Sequence, residues 1–514
     1  METNYAIELK NVTKRFGEVV ANDSVDLSLM KGEILAILGE NGSGKTTLMN
    51  MISGIYFPDE GHIFVNGQEV TIRSPKDSFD LGIGMIHQHF KLVPIFTAAE
   101  NIVLGLPAEK GQNMSRIEAD IQQLVDRYGF DMNPAKKIYD MSVSQKQTVE
   151  IVKVFYRGAE ILILDEPTAV LTPQETERLF QVLKNMRDDG KSIIIITHKL
   201  NEVMEISDRV AVLRKGKYIG TVKTSEATIP SLTEMMVGEK VSLNIDRSEP
   251  VNPELRLEMK GVTCRNKEGT VTLNKASFAA RSGEILGVAG ISGSGQKELL
   301  ESIAGLQHME EGEVWYYPPG GEAQALHSLS VTEIRNLGVR LSFVPEDRLG
   351  MGLVGSMDIT NNMMLRSYRD GKGLITDRKT SEQLARTIIE ELEVVTPGVT
   401  TPVRRLSGGN VQKVLVGREI SSNPTVLMVA YPVRGLDINS SYTIYNLLNK
   451  QKENGAAVIC VGEDLDVLLE LCDRILVLQG GRVAGTVDAR TATKEQLGLM
   501  MTGTIGKEEA VDEP

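Results

Sequence analysis

The 514-residue sequence predicts an α/β protein made of two tandem copies of one module, each a mainly parallel sheet covered by helices. Three observations carry that reading. The string Gly32-Glu-Ile-Leu-Ala-Ile-Leu-Gly39 returns as Gly283-Glu-Ile-Leu-Gly-Val-Ala-Gly290, 251 residues later. Met141-Ser142 and Thr197-His198 return as Leu406-Ser407 and Gly462-Glu463, each 265 residues later, so the second copy holds extra residues in its middle and is otherwise collinear. A period of about 250 residues is a duplicated domain, because solenoid repeats recur every 20 to 50. Finally, short apolar runs alternate with helix-like stretches, the pattern of strands buried on both faces.

In the first copy, 34–38, 161–164, 192–196 and 210–213 read as buried strands. The stretches 45–53 and 174–187 read as helices, and 112–128 as a helical region away from the sheet. Asp246-Arg247-Ser248-Glu249-Pro250 breaks the periodicity. The expected division is therefore a first domain at 1–240, a linker at 241–254, a second domain at 255–503 and an acidic tail at 504–514.

Lys and Arg number 56 against 69 Asp and Glu, a net charge of −13. Such a chain is a poor partner for nucleic acid or an anionic membrane surface. Charged residues at 24% and apolar residues at 41% suit a globular protein. Cys264, Cys460 and Cys472 have no metal-ligand spacing, and an odd count suits a reducing compartment. The start, Met-Glu-Thr-Asn-Tyr, has neither the basic nor the apolar part of a signal peptide. No apolar run approaches the roughly 20 residues of a membrane span. The expectation is a cytosolic chain that other chains would hold at any membrane it serves.

Gly39-Glu40-Asn41-Gly42-Ser43-Gly44-Lys45-Thr46, followed by Thr47, is a complete G-x-x-x-x-G-K-T phosphate loop. It lies between a predicted strand and a predicted helix, the context that the motif requires. The glycines let backbone N–H groups face a phosphate, and the helix N-terminus adds positive dipole. Lys45 would neutralise the outer phosphates, and Thr46 would place its hydroxyl on Mg²⁺. Ile161-Leu-Ile-Leu-Asp165-Glu166-Pro167 puts two carboxylates at the end of a buried strand. Asp165 would hold Mg²⁺ through water, and Glu166 would orient or deprotonate the attacking water. His198 ends the next strand and would polarise the γ-phosphate or that water. In His87-Gln88-His89, two histidines without further ligands make no metal cage.

With Leu406-Ser407-Gly408-Gly409-Asn410-Val411-Gln412-Lys413, these strings resemble the ATP-binding cassette family, of which the last is the signature sequence. The resemblance covers essentially the whole chain. It implies two P-loop NTPase cassettes, each with a helical subdomain and an antiparallel β region. It also implies ATP and Mg²⁺ as cofactors, and head-to-tail cassettes with each ATP between one phosphate loop and the other signature. Ser407, Gly408 and Gly409 would then reach the γ-phosphate. Phe16 would stack on adenine, an ordinary core aromatic being the alternative. Gln88 would stand between Mg²⁺ and the membrane subunit, as catalytic and metal-side residue. Asp437 matches the D-loop.

The second copy departs from this pattern. Gln296 replaces the phosphate lysine and Lys297 the hydroxyl residue. Ala430 and Tyr431 replace the two acids, Glu346 replaces Gln88, and Glu463 replaces His198. The first copy's signature, Met141-Ser142-Val143-Ser144-Gln145, has serine for the second glycine, and Thr172 takes the D-loop place. Head-to-tail geometry would collect every departure in one site and leave the other competent.

This pattern looks like the ATP-binding subunits of bacterial importers for simple sugars and nucleosides, with His87-Gln88-His89-Phe90 and Glu100-Asn101-Ile102 closer to the nucleoside members. The resemblance implies two permease subunits, an extracytoplasmic solute-binding protein and a peripheral place on the cytoplasmic face of the membrane. A monosaccharide or a riboflavin-like solute is the alternative cargo. Soluble tandem-cassette ATPases acting on ribosomes are the alternative class, opposed by the net charge and a short linker.

Overall fold

The computed structural model describes residues 4–87, 91–106, 113–169, 171–239, 245–266, 268–291, 293–343, 352–368, 377–420, 424–434 and 436–503. The chain divides into two compact units, Met1–Ser242 and Leu243–Pro514.

In the first unit the described residues form a six-stranded sheet. Its order is Lys217–Lys223, Arg209–Arg214, Ile34–Leu38, Ser192–Ile196, Ile161–Asp165 and Ile83–Ile86. All neighbours pair in parallel except the first two. The strands are apolar throughout because both faces are covered. Leu35, Ile37, Ile161, Ile163, Ile194 and Ile196 pack toward the phosphate-loop helix and an antiparallel sheet. Ile34, Leu162, Leu164, Ile193 and Ile195 pack toward the helices on the other side. The antiparallel sheet runs Val19–Met30, Tyr5–Phe16, Glu60–Val65, Gln68–Val70.

The helix Met114–Tyr128 buries Ile117, Ile121, Val125 and Tyr128, one stripe at helical spacing. Asn113 caps its start, and Gly129 closes it in the left-handed region at φ 79°. The second unit repeats the plan. Its sheet runs Val339–Phe343, Val426–Ala430, Ala457–Val461, Ile285–Gly290, Arg474–Gln479, Arg482–Asp488. An antiparallel sheet, Val271–Arg281, Leu255–Arg265, Met309–Tyr316, Gln324–Ala325, accompanies it. The α/β expectation, with helical and antiparallel additions, holds in both units.

The segment expected to be a linker is fastened to the second unit over 245–249. Ile245 joins that unit's core. Asn449 Nδ2 donates to Asp246 O at 3.2 Å, and Arg247 Nη1 donates to Leu469 O at 3.0 Å. The Lys452 ammonium donates to Ser248 O and pairs with Asp473 at 2.9 Å, both side chains being buried. A buried cation needs such partners, and removing one member of the pair strands the other. Lys452→Ala should therefore destabilise the second unit by about 3–5 kcal/mol. Urea unfolding checks this, and an unchanged midpoint would contradict it.

Candidate active site

Parallel pairing brings the expected residues of the first unit to one edge. Ile37 and Asp165 both lie opposite Ile196, so the phosphate loop, the two acids and His198 all leave the sheet at its carboxyl end. Two of the loop's glycines, Gly39 and Gly44, leave no room for a side chain. A Cβ on Gly39 would sit 2.3 Å from Leu213 O, and one on Gly44 would sit 2.4 Å from Ala21 O. Gly44 is also left-handed, at φ 96°, where it opens the helix Lys45–Ile52.

Lys45 is buried, and its Nζ donates to Gly39 O at 2.6 Å and Glu40 O at 2.9 Å. Burial pushes this ammonium below its ordinary pKa, against the pull of Glu166, Asp165 and Glu40. The Ser43 hydroxyl is buried in the same loop and bonds to no described residue. An orphaned hydroxyl beside a buried ammonium fits a phosphate oxygen.

Thr46 Oγ1 donates to Asp165 Oδ2 at 3.4 Å. Burial, then the neighbouring Glu166, raises the Asp165 carboxyl above its usual range. A cation beside it would relieve that penalty. Among the described residues no group of three His, Cys, Asp or Glu could hold a metal. One hydroxyl and one carboxylate suit Mg²⁺, which takes its remaining ligands from phosphate and water.

Glu166 behaves differently. His198 Nδ1 lies 2.9 Å from its Oε1, and that hydrogen bond holds the carboxyl below the usual range against desolvation. Glu166 also sits in the left-handed region at φ 48°, a strain of roughly 1–3 kcal/mol for a residue with a side chain. Its N–H donates to Ile196 O at 2.9 Å, which fixes the turn. Tyr431 repeats the conformation at φ 52°, with its N–H on Val461 O at 2.9 Å. The duplicated turn has kept its backbone and lost its carboxylate.

Phe16 is 45% exposed and meets Tyr56 edge-on at 5.2 Å, so it is no core aromatic. Tyr56 escaped the sequence reading, since nothing local marks a residue that only folding brings to Phe16. Gln88 lies outside the described residues, as do Glu346 and the tail at 504–514.

In the second unit Gln296 is buried in the place of Lys45, with Nε2 on Ile291 O at 3.1 Å. Lys297, exposed, pairs with Glu301 at 3.7 Å. Arg434 lies 3.8 Å from Glu463. Ser407 Oγ accepts from Asn410 Nδ2 at 2.9 Å, and the helix Gly408–Ile420 starts beside it. A Cβ on Gly409 would meet only Leu436, at 4.0 Å, so the backbone there is open. In the first unit Ser144 Oγ lies 3.2 Å from the hydroxyl of Ser142, the counterpart of Ser407. Asp437 caps the helix Ile438–Glu453 through Ser440, with Oδ1 accepting from Ser440 N at 2.8 Å, and Thr172 caps Pro173–Asp188. The two D-loop positions are thus both helix caps.

Comparison with known proteins agrees with this geometry. A model of the family described as ABC transporter matches residues 22–169 and 273–432. The nucleoside import ATP-binding protein NupA of Lactococcus lactis is 42% identical over 98% of this chain and 99% of its own length. The guanosine import ATP-binding protein NupO of Bacillus subtilis is also 42% identical, over 98% of both chains. The ribose import ATP-binding protein RbsA 1 of Rubrobacter xylanophilus is 38% identical over 98% of this chain and 99% of its own. Among solved structures, an archaeal ribosome recycling factor, aABCE1, in complex with the ribosomal stalk protein aP1 covers 93% of this chain and 90% of its own. Its TM-score is 0.59 at 16% identity, a likeness of fold alone. Among the described residues no helix is long and apolar enough to cross a membrane.

Proposed function

This chain belongs to the ABC transporter family, and we propose that it is the ATP-hydrolysing subunit of an importer that carries a nucleoside through separate permease subunits. The observation that carries the reading is the contrast between Glu166 held by His198 at 2.9 Å and the carboxylate-free Tyr431 turn. The first unit holds the groups that bind phosphate and act on water. The second keeps the fold and an open signature.

In this reading one competent site joins the Lys45 loop to Ser407, Gly408 and Gly409, and a degenerate site joins the Gln296 loop to the Ser144 signature. Mg²⁺ would be held by Thr46 and Asp165, with Gln88 beside it, and would screen the phosphate charge. Lys45 binds the outer phosphates, and Phe16 with Tyr56 offers a platform for adenine. Glu166, ionised at neutral pH because His198 stabilises its charge, orients the water and accepts its proton. Phosphate contacts from two cassettes favour closure only while the γ-phosphate is attached. Its loss releases the interface, and that movement drives the permease. Asp437 stands at the D-loop position of the competent site. The exposed Ile95 and neighbouring Leu92 belong to the segment that would meet a permease helix.

The nucleoside assignment rests on relatives at 42% identity that are named for nucleoside and guanosine import. An extracytoplasmic binding protein would deliver the solute, and this subunit would sit on the cytoplasmic face through the permease. The test is uptake of labelled guanosine into vesicles that hold this chain with the permease subunits and solute binder encoded beside it. ATP-dependent accumulation that adenosine competes and ribose does not is expected. Competition by ribose or riboflavin instead would move the cargo to a monosaccharide or flavin. Absence of uptake, with co-sedimentation on ribosomes at physiological salt, would overturn the importer reading.

A further inference from the structure

Each unit carries a buried glutamine that ties its signature-bearing helix to the turn after the strand that ends in Asp165 or Ala430. Gln147 lies in the helix Val143–Tyr156, and its Nε2 donates to Pro167 O at 2.7 Å. Gln412 lies in Gly408–Ile420, and its Nε2 donates to Pro432 O at 2.8 Å. The two are 4% and 0% exposed. A proline carbonyl only accepts, so the amide N–H must face it in both. In both units the glutamine Oε1 is buried and receives no hydrogen bond from a described residue. The side chain therefore satisfies one partner at the expense of its own acceptor, which a core built for stability alone would avoid.

What the bond holds is the strained turn. Glu166 adopts φ 48°, its N–H is fixed to Ile196 O, and the next carbonyl along the backbone is that of the adjacent Pro167. The sheet clamps one side of the turn, and Gln147 clamps the other. The proline ring removes a further rotation. A small turn or slide of the helix Val143–Tyr156 must pull on Pro167 O, and hence re-aim the carboxylate that faces His198.

We propose that Gln147 is a positioning residue for hydrolysis, locking the Glu166 turn to the helix that begins beside Ser142 so that the carboxylate is aimed only when that helix is in place. Gln412 is the same device retained where the turn carries Tyr431. This deepens the proposed function and rests on Glu166 acting on water there.

Gln147→Met keeps the shape and removes the donor and the orphaned acceptor together. Assayed as the full chain with its permease, it should lower kcat by about 10–100-fold, since misplacing a catalytic group by 1 Å has that scale. The KM for ATP and the thermal midpoint should stay near wild type, because the phosphate loop and the packing are untouched. Gln147→Asn, which withdraws the amide by one methylene, gives the same kcat loss by a second route. Wild-type kcat in both, with Glu166→Gln inactive, overturns the positioning role and leaves the function standing. A loss seen only with a matching KM rise or a collapsed midpoint in both variants reduces Gln147 to packing and also overturns it. A Glu166→Gln chain as fast as wild type would instead remove the reading on which the inference rests.

Discussion

Glu166→Gln should cut ATP turnover by about 10²–10⁴-fold while nucleotide binding persists. The amide matches the carboxylate in size, so the left-handed turn and its bond to Ile196 O at 2.9 Å need not move. What disappears is the proton acceptor. His198 at 2.9 Å holds the wild-type carboxyl below its usual range, so the group is charged throughout the neutral region. A depressed carboxylate contributes stability that is fully present above its unfolded pKa of about 4.3 and is lost as pH falls through the folded value. The variant should therefore lose part of the wild-type fall in stability on acidification, along with its turnover. Single-turnover phosphate release and equilibrium ATP binding measure the two halves separately. A variant that hydrolyses at the wild-type rate would remove Glu166 from the chemistry.

The second large effect separates the two phosphate loops. Lys45→Ala removes a buried ammonium that closes the loop through Gly39 O and Glu40 O and still has a donor for phosphate. In a site shielded from water, loss of one such group costs about 10²–10³-fold. Gln296→Ala removes only a neutral bond to Ile291 O, in a unit with Ala430 and Tyr431 in place of the acids. Most turnover should remain. Equal loss from both substitutions would contradict one competent site beside one degenerate site. Trapping a magnesium–vanadate adduct and locating it by photocleavage gives an independent reading, since the adduct should form against the Lys45 loop.

Much of the fold could be read in advance because its signals are short-range. An apolar run of four isoleucines, Ile193–Ile196, is legible as part of a strand covered on both faces. The helix Met114–Tyr128 shows itself through the spacing of its buried stripe. The phosphate loop is legible as a contiguous string, although the atoms that crowd Gly39 and Gly44 include Leu213 O and Ala21 O from elsewhere in the unit. The duplication was visible as repeated strings.

Other features could not be read that way. The segment 241–254 lacks periodicity and reads as a linker, yet Asn449 and Lys452, about 200 residues away along the chain, hold Asp246 O and Ser248 O, and Arg247 reaches out to Leu469 O. Tyr56 meets Phe16 edge-on at 5.2 Å only once the chain is folded. In the sequence Ser144 reads only as a missing glycine. Its engagement of Ser142 came with the fold.

The α/β class, the doubling of the module, the phosphate-loop strings and the loss of acids from the second copy are written in the order of the residues. These depend on residue type and spacing over a few positions, where sterics and hydrogen bonding of the backbone act directly. It takes the folded chain to hold the Glu166 carboxyl below its usual range beside His198 while Asp165 is driven the other way, and to bring Gln147 of the signature-bearing helix onto Pro167 O. Burial, partner and charge state are properties of what packs around a group, and that is settled when distant segments meet.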